Sequence, residues 1–308
     1  MIPPKVIVLI LNYNGKHLLD DSISSYLEND YQNFEVVVID NGSTDGTEEY
    51  VKNSFPTVKL LRTEMNLGYS GGFNRGLKYA FGEGQASYVL ISNNDLRADK
   101  RVISELFNVI HSDERAGFVT GKVYYFDRPD TLQTVGKSED PIYWNGNHIG
   151  GGEVDRGQYD QVAERVFADD VFTMVRKQLY DDVGGYDTTF FLQSEEYDWQ
   201  ARAKKAGYKI LYTPHAKVWH KESQTIGKRS PLKAFYDARN PMLVILLHRS
   251  PEFFRRYFWH HIANDVFLSS LRAAKRFQFT TALKMWEGFF SGLGWAVQHR
   301  KLTYNHFL

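Results

Sequence analysis

Apolar and polar positions change rhythm in regular blocks along the first hundred residues. An unbroken apolar run over Lys5–Leu11 predicts a strand covered on both faces. From His17 to Leu27 the spacing becomes helical, with Leu18, Leu19, Ile23, Tyr26 and Leu27 on one side. Phe34–Ile39 predicts a second strand, closed by Asp40. Thr44–Asn53 predicts a helix with acidic residues in its first turn. Val58–Arg62 reads as a third strand, Gly72–Phe81 as a third helix and Tyr88–Ile91 as a fourth strand. This alternation is that of βαβ units, hence an α/β fold with a mostly parallel central sheet flanked by helices. Ligands bind such sheets at the carboxyl ends of the strands.

Beyond residue 100 the rhythm is mixed. Ser104–His111 predicts a helix and Phe118–Phe126 a strand. The stretch 127–160 is rich in Gly, Asp and Asn and reads as a long excursion. Val171–Val175 predicts a strand, followed by a helix through Val183. Ser194–Ala206 predicts a helix; Lys209–Tyr212 and Ala216–His220 predict two further strands. From Pro231 onward the pattern is helical, with breaks expected near Pro251 and Gly292–Gly294. The division is therefore 1–230 for an α/β domain and 231–308 for a helical extension.

Composition narrows the chemistry. The 308 residues contain no cysteine, so any metal must rest on oxygen and imidazole. That absence fits a reducing, cytoplasmic compartment. Val6–Leu11 is too short to span a membrane and lacks a small-residue cleavage site. Net charge is zero but uneven: residues 231–308 hold eleven Lys+Arg against four Asp+Glu, and 16 of the 46 aromatics. Basic plus aromatic composition suggests a surface that meets a membrane, an anionic partner or a second copy. No nucleic-acid module is visible, and no nucleic-acid partner is expected.

Five stretches carry candidate chemistry. In VVVIDNGSTDGT, Asp40 ends a strand, where a carboxylate can accept an N–H from a nucleobase edge. In NLGYSGGFNRGL, Asn66, Gly71 and Asn74 belong to a glycine-rich approach to a helix N-terminus that favours anions. In YVLISNNDL, Asp95 closes a buried strand after Asn93 and Asn94; a hard cation takes such an oxygen alongside substrate phosphates. In DVGGYDTTFFLQSEEYDW, Glu195, Glu196 and Asp198 crowd one helix start, where mutual repulsion raises a pKa toward that of a general base. In PHAKVWHKES, His220 ends a strand and would complete an oxygen-and-imidazole site with Asp95.

Together with ILNYNG at 10–15, these stretches resemble the inverting family-two nucleotide-sugar glycosyltransferases, in family order over residues 5–230. The resemblance implies the GT-A (Rossmann-like) fold. It implies Asp40 on the base, with Asn12, Asn14 and Asn66 near the nucleotide. It implies a divalent metal, Mg²⁺ or Mn²⁺, on Asp95 and His220. The family's two-acid metal motif reads Asn93-Asn94-Asp95 here, as in its bacterial rhamnosyltransferase-like branch. The family's catalytic Asp falls on Glu196, with Glu195 and Asp198 as alternatives. The implied activity is transfer of a sugar, best read as L-rhamnose from dTDP-L-rhamnose, to a saccharide or lipid-linked saccharide acceptor. A UDP-hexose or UDP-galactofuranose donor is the alternative within the class. A nucleotide-sugar binding or nucleotidyltransferase module is the alternative outside it.

Overall fold

The computed structural model describes residues 2–221 and 230–299. Strands β1 (Val6–Asn12), β2 (Phe34–Asp40), β3 (Lys59–Arg62) and β4 (Tyr88–Ser92) run parallel in the order β3-β2-β1-β4. Helices α1 (Leu19–Leu27), α2 (Thr47–Ser54) and α3 (Gly68–Phe81) make the crossovers. Residues of β1 alternate between two cores. Val6, Val8 and Ile10 face α1 and α4 (Val102–Ser112). Ile7 and Leu9 face α3, whose Phe73 and Leu77 are fully buried. A strand buried on both faces has no polar side, hence the unbroken apolar runs.

The sheet continues beyond β4 through β6 (Ala116–Tyr125), β11 (Phe172–Arg176) and β12 (Lys209–His220). β11 pairs antiparallel with β4 and with β6, and β12 is parallel to β6. The carboxyl ends of β1, β2, β4, β6 and β12 therefore share one edge with the start of β11. Short strands dress that edge: β5 (Leu96–Ala98) on β12, β7 (Leu132–Thr134) on β6, and β10 (Ala163–Glu164) on the outer side of β12. β8 (Lys137–Asp140) and β9 (Trp144–His148) form a separate hairpin within the 127–160 excursion.

Three expectations need correction. The glycine-rich stretch is helical from Gly68, not from Gly72. Gly72 and Gly76 serve packing, since a Cβ would meet Leu11 at one and Ile39 and Leu9 at the other. The two strands expected over 209–220 are one, broken in register between Tyr212 and Lys217. That bulge is possible because Gly121 of β6 leaves room for the Ala216 carbonyl. Gly292–Gly294 does not interrupt α10 (Phe279–Gln298), and Pro251 opens α8 (Pro251–His260), which Ser250 caps.

The remaining helices are α5 (Lys177–Val183), α6 (Glu195–Lys205), α7 (Pro231–His248) and α9 (Ser269–Lys275), with a π-helical segment His261–Leu268 before α9. Met242, Leu243, Ile245, Phe253, Tyr257 and Phe289 share a core with Trp144 of the hairpin, Phe167, Phe190 and Tyr197 of α6. Each such buried side chain contributes roughly 2 kcal/mol. The described part of the C-terminal region is thus built into the catalytic half.

Candidate active site

β12 and β5 bring the first pair together. Leu96 lies opposite His220 in their antiparallel register, and the Lys221 N–H donates to the Asp95 carbonyl at 2.8 Å. Asp95 Oδ1 then stands 3.0 Å from His220 Nε2, both side chains nearly buried. His220 Nδ1 lies 2.9 Å from Gln133 Oε1. The Gln133 carbonyl can accept an Nδ1–H, which leaves Nε2 on the Asp95 side. A carboxylate oxygen and an imidazole nitrogen side by side are a donor set that fits a divalent cation. Among the described residues no group of three or more His, Asp or Glu could hold a metal. These two would therefore share it with substrate oxygens and water.

The second cluster lies where the amino end of α6 meets the start of β11. The carboxyls are Asp169, Asp170, Glu195 and Glu196. Gln200 of α6 holds the loop through the Ala168 N–H and C=O, at 2.8 and 3.1 Å, and the Asn93 N–H donates to the Val171 carbonyl. Lys137 enters from the hairpin. Its Nζ donates to the Tyr197 hydroxyl and lies 3.8 Å from Asp169 Oδ2, while His148 Nδ1 lies 3.3 Å from the same oxygen. Tyr186 donates to Asp170 Oδ2 at 2.6 Å.

The electrostatics separate these acids. Burial, then the Glu196 charge, push Glu195 well above the usual carboxylate range. One oxygen of Glu195, Oε2, is buried without a hydrogen-bond partner. Burial also lifts Glu196, against the pull of Lys137. Asp170 rises well above its ordinary value through burial and the Glu196 charge. Asp169 goes the other way: burial opposes, but Lys137, His148 and His220 outweigh it and hold the carboxyl low. A half-buried Glu196 with a raised pKa, at a helix start and beside one fixed cation, is equipped to accept a proton.

Asp198 is not part of this cluster. It is buried and bound on both oxygens, to Arg202 Nε and His248 Nε2, each at 2.8 Å. Burial opposes, yet these partners keep it ionised below its ordinary value. It anchors α6 to α7, with both oxygens engaged by these partners. Asn74 is also displaced from its expected role. Its amide spans the Tyr186 backbone, accepting from N–H at 3.0 Å and donating to C=O at 2.8 Å.

The ends of β1 and β2 build the third wall. Asn12 is fully buried; it donates to Thr47 Oγ1 at 3.0 Å and accepts from Asn94 Nδ2 at 2.6 Å. Exposed Asn14 accepts from the Thr44 N–H at 2.8 Å. Asp40 accepts from the Ser43 N–H at 2.9 Å and from half-exposed Arg62 at 2.5 Å. Asn66 accepts from Asn41 and from the Gly68 N–H, closing the entry to α3, and Gly71 lies in the first turn of that helix.

Lys137, Asp169, Asp170 and Gln133 escaped sequence reading. The acidic pair Asp169-Asp170 was visible before an apolar run. Its position carries no signal of its own, because ligand sites are expected at the carboxyl ends of strands, whereas antiparallel β11 brings its start to the edge.

The family model of glycosyl transferase family 2 matches residues 7–184. An N-acetylglucosaminyl-diphospho-decaprenol L-rhamnosyltransferase of Mycobacterium tuberculosis is 29% identical over 212 residues, 63% of this chain and 68% of that one. A poly-beta-1,6-N-acetyl-D-glucosamine synthase of Staphylococcus aureus is 27% identical over 224 residues, 71% of this chain and half of the synthase. The mannosyltransferase PcManGT of Pyrobaculum calidifontis, solved with GDP-Man and Mn²⁺, superposes with a TM-score of 0.57 at 16% identity, covering 94% of this chain and 87% of that one.

Proposed function

Because the chain belongs to glycosyl transferase family 2 and has the GT-A fold, we propose that it is an inverting enzyme using dTDP-L-rhamnose to extend a lipid-linked saccharide in bacterial surface polysaccharide synthesis. The observation that carries transfer chemistry is the shared edge: Asp95 and His220 on one side, Glu196 at the start of α6 on the other. The rhamnose donor and lipid-linked acceptor draw on the mycobacterial relative.

In this reading Asp40 meets the base edge once Arg62 gives way, and Asn14 and Asn66 line the nucleotide. Asp95 and His220 would hold Mg²⁺ or Mn²⁺, which would neutralise charge on the donor's diphosphate. Glu196 takes the proton of the acceptor hydroxyl as that oxygen attacks the anomeric carbon. The new C–O bond forms as the bond to the diphosphate breaks on the opposite face, which inverts the centre. Lys137 keeps Glu196 ionised enough to act.

The C-terminal helices are read as a peripheral membrane seat. Trp259, Phe277, Phe279, Leu283 and Phe290 are each at least 60% exposed. Arg255, Arg256, Arg272, Lys275 and Arg276 stand in the same segments. Among the described residues no helix is long and apolar enough to cross a membrane.

Thermal-shift measurement against uridine, thymidine and guanosine diphosphate sugars with Mn²⁺ tests the donor. The largest stabilisation is expected from dTDP-L-rhamnose. If no nucleotide sugar stabilises the chain, the reading fails.

A further inference from the structure

The turn that delivers Glu195 and Glu196 is conformationally expensive. Gln193 and Ser194 are consecutive non-glycine residues at φ 68° and 71°, in the left-handed region. Residues with a Cβ stay there only when their surroundings hold them. Local sequence does not supply that hold, since Ser194 precedes α6 without a side-chain cap.

The hold comes from α7. Asn240 is fully buried, and its Nδ2 donates to the Leu192 carbonyl at 2.7 Å and the Gln193 carbonyl at 2.9 Å. Its Oδ1 accepts from Arg239 Nη1 at 2.7 Å, which fixes the amide with nitrogen toward the turn. The same Nη1 donates to the Thr189 carbonyl at 3.0 Å. Tyr236 stacks on Phe191 with centroids 5.5 Å apart. Three residues of one helix thus grip 189–193, immediately before the two glutamates.

We propose that Asn240 is a positioning residue for the transfer site: through its amide, α7 holds the Gln193–Ser194 turn and fixes where the carboxylates of Glu195 and Glu196 stand. This rests on the reading of Glu196 as the base. Asn240 touches no reacting atom; it acts through two backbone carbonyls.

The test uses the full chain and Asn240→Ala, with two readouts. Hydrogen–deuterium exchange is expected to rise in residues 188–196, without donor present. Release of dTDP from dTDP-L-rhamnose is expected to fall roughly 100-fold, the cost of a small misplacement of catalytic groups. Binding of dTDP with Mn²⁺ should stay within about twofold, because the hydrogen bonds of Asn240 go to Arg239 and to the Leu192 and Gln193 carbonyls, not to Asn14, Asp40 or Asn66. Met242→Ala is the control: it cuts a fully buried apolar side chain from the same helix and removes no hydrogen bond to the turn. Should Asn240→Ala not fold, Asn240→Ser, which can still pair one carbonyl, takes its place with a smaller change in the same direction. Unchanged exchange in 188–196 in the folded variant overturns the proposal, and so does an equal loss of turnover in Met242→Ala. A wild-type chain inert toward dTDP-L-rhamnose would count against the donor reading alone, because the exchange arm still decides the role of Asn240.

Discussion

At the scale of single residues, the acids at the edge divide by environment. Glu196 must be ionised to accept a proton, and burial lifts its pKa. Activity should therefore fall on the acid side at a pH above the ordinary carboxylate range. Lys137 favours the ionised form, so Lys137→Met should move that limb to higher pH in a profile of dTDP release; an unmoved limb would uncouple the pair. Glu196→Gln should lower turnover by roughly 10²- to 10⁴-fold while dTDP binding, followed by calorimetry, persists. Near-normal turnover in that variant would transfer the role to Glu195. Asp95→Ala should abolish the response to added Mn²⁺ seen after treatment with chelator. An enzyme indifferent to chelator would remove the cation from the account. Most of these residues were legible because their types are unusual where they stand: a carboxylate after a buried strand, three acids at one helix start. Lys137 was not, since a lysine in a polar excursion looks like any solvated lysine until the hairpin folds inward.

At the scale of elements, α3 couples the wall at the ends of β1 and β2 to the loop before α6. Its first residue, Gly68, has φ 75°, and a Cβ there would meet the Phe191 carbonyl at 2.3 Å. That carbonyl accepts the Tyr69 N–H at 2.7 Å. Gly68→Ala should therefore cost ~3 kcal/mol of stability, combining left-handed strain with overpacking, read as a lowered urea midpoint. Turnover should fall with it, because Phe191 belongs to the loop that Asn240 grips. A variant as stable as the parent would mean the loop yields freely. The parallel strands and their helices were legible from hydrophobic period alone. The single bulged β12 was not: Pro214 and the polar residues around it break the apolar pattern, and only Gly121 on the neighbouring strand shows how the chain continues.

At the scale of the whole molecule, the exposed aromatics of the C-terminal helices set a prediction of their own. The full chain should float with vesicles of phosphatidylglycerol and far less with neutral phosphatidylcholine. Phe277→Asp with Phe279→Asp should abolish flotation while leaving dTDP binding intact; unchanged flotation would remove the membrane seat. The composition of the tail pointed to such a surface, but not to its second face, the one buried against Trp144, Phe167 and Tyr197. An amphipathic pattern says that a helix has a covered side, never what covers it. That covered side bears on how the protein matures in the cell. Domains tend to fold from the N-terminus as synthesis proceeds, yet the grip on the turn before Glu195 comes from residue 240. On the reading of Glu196 as base, a nascent chain that has already formed its sheet would still lack the contact that orders it. Such unfinished chains should transfer or hydrolyse donor poorly until α7 has left the ribosome and docked.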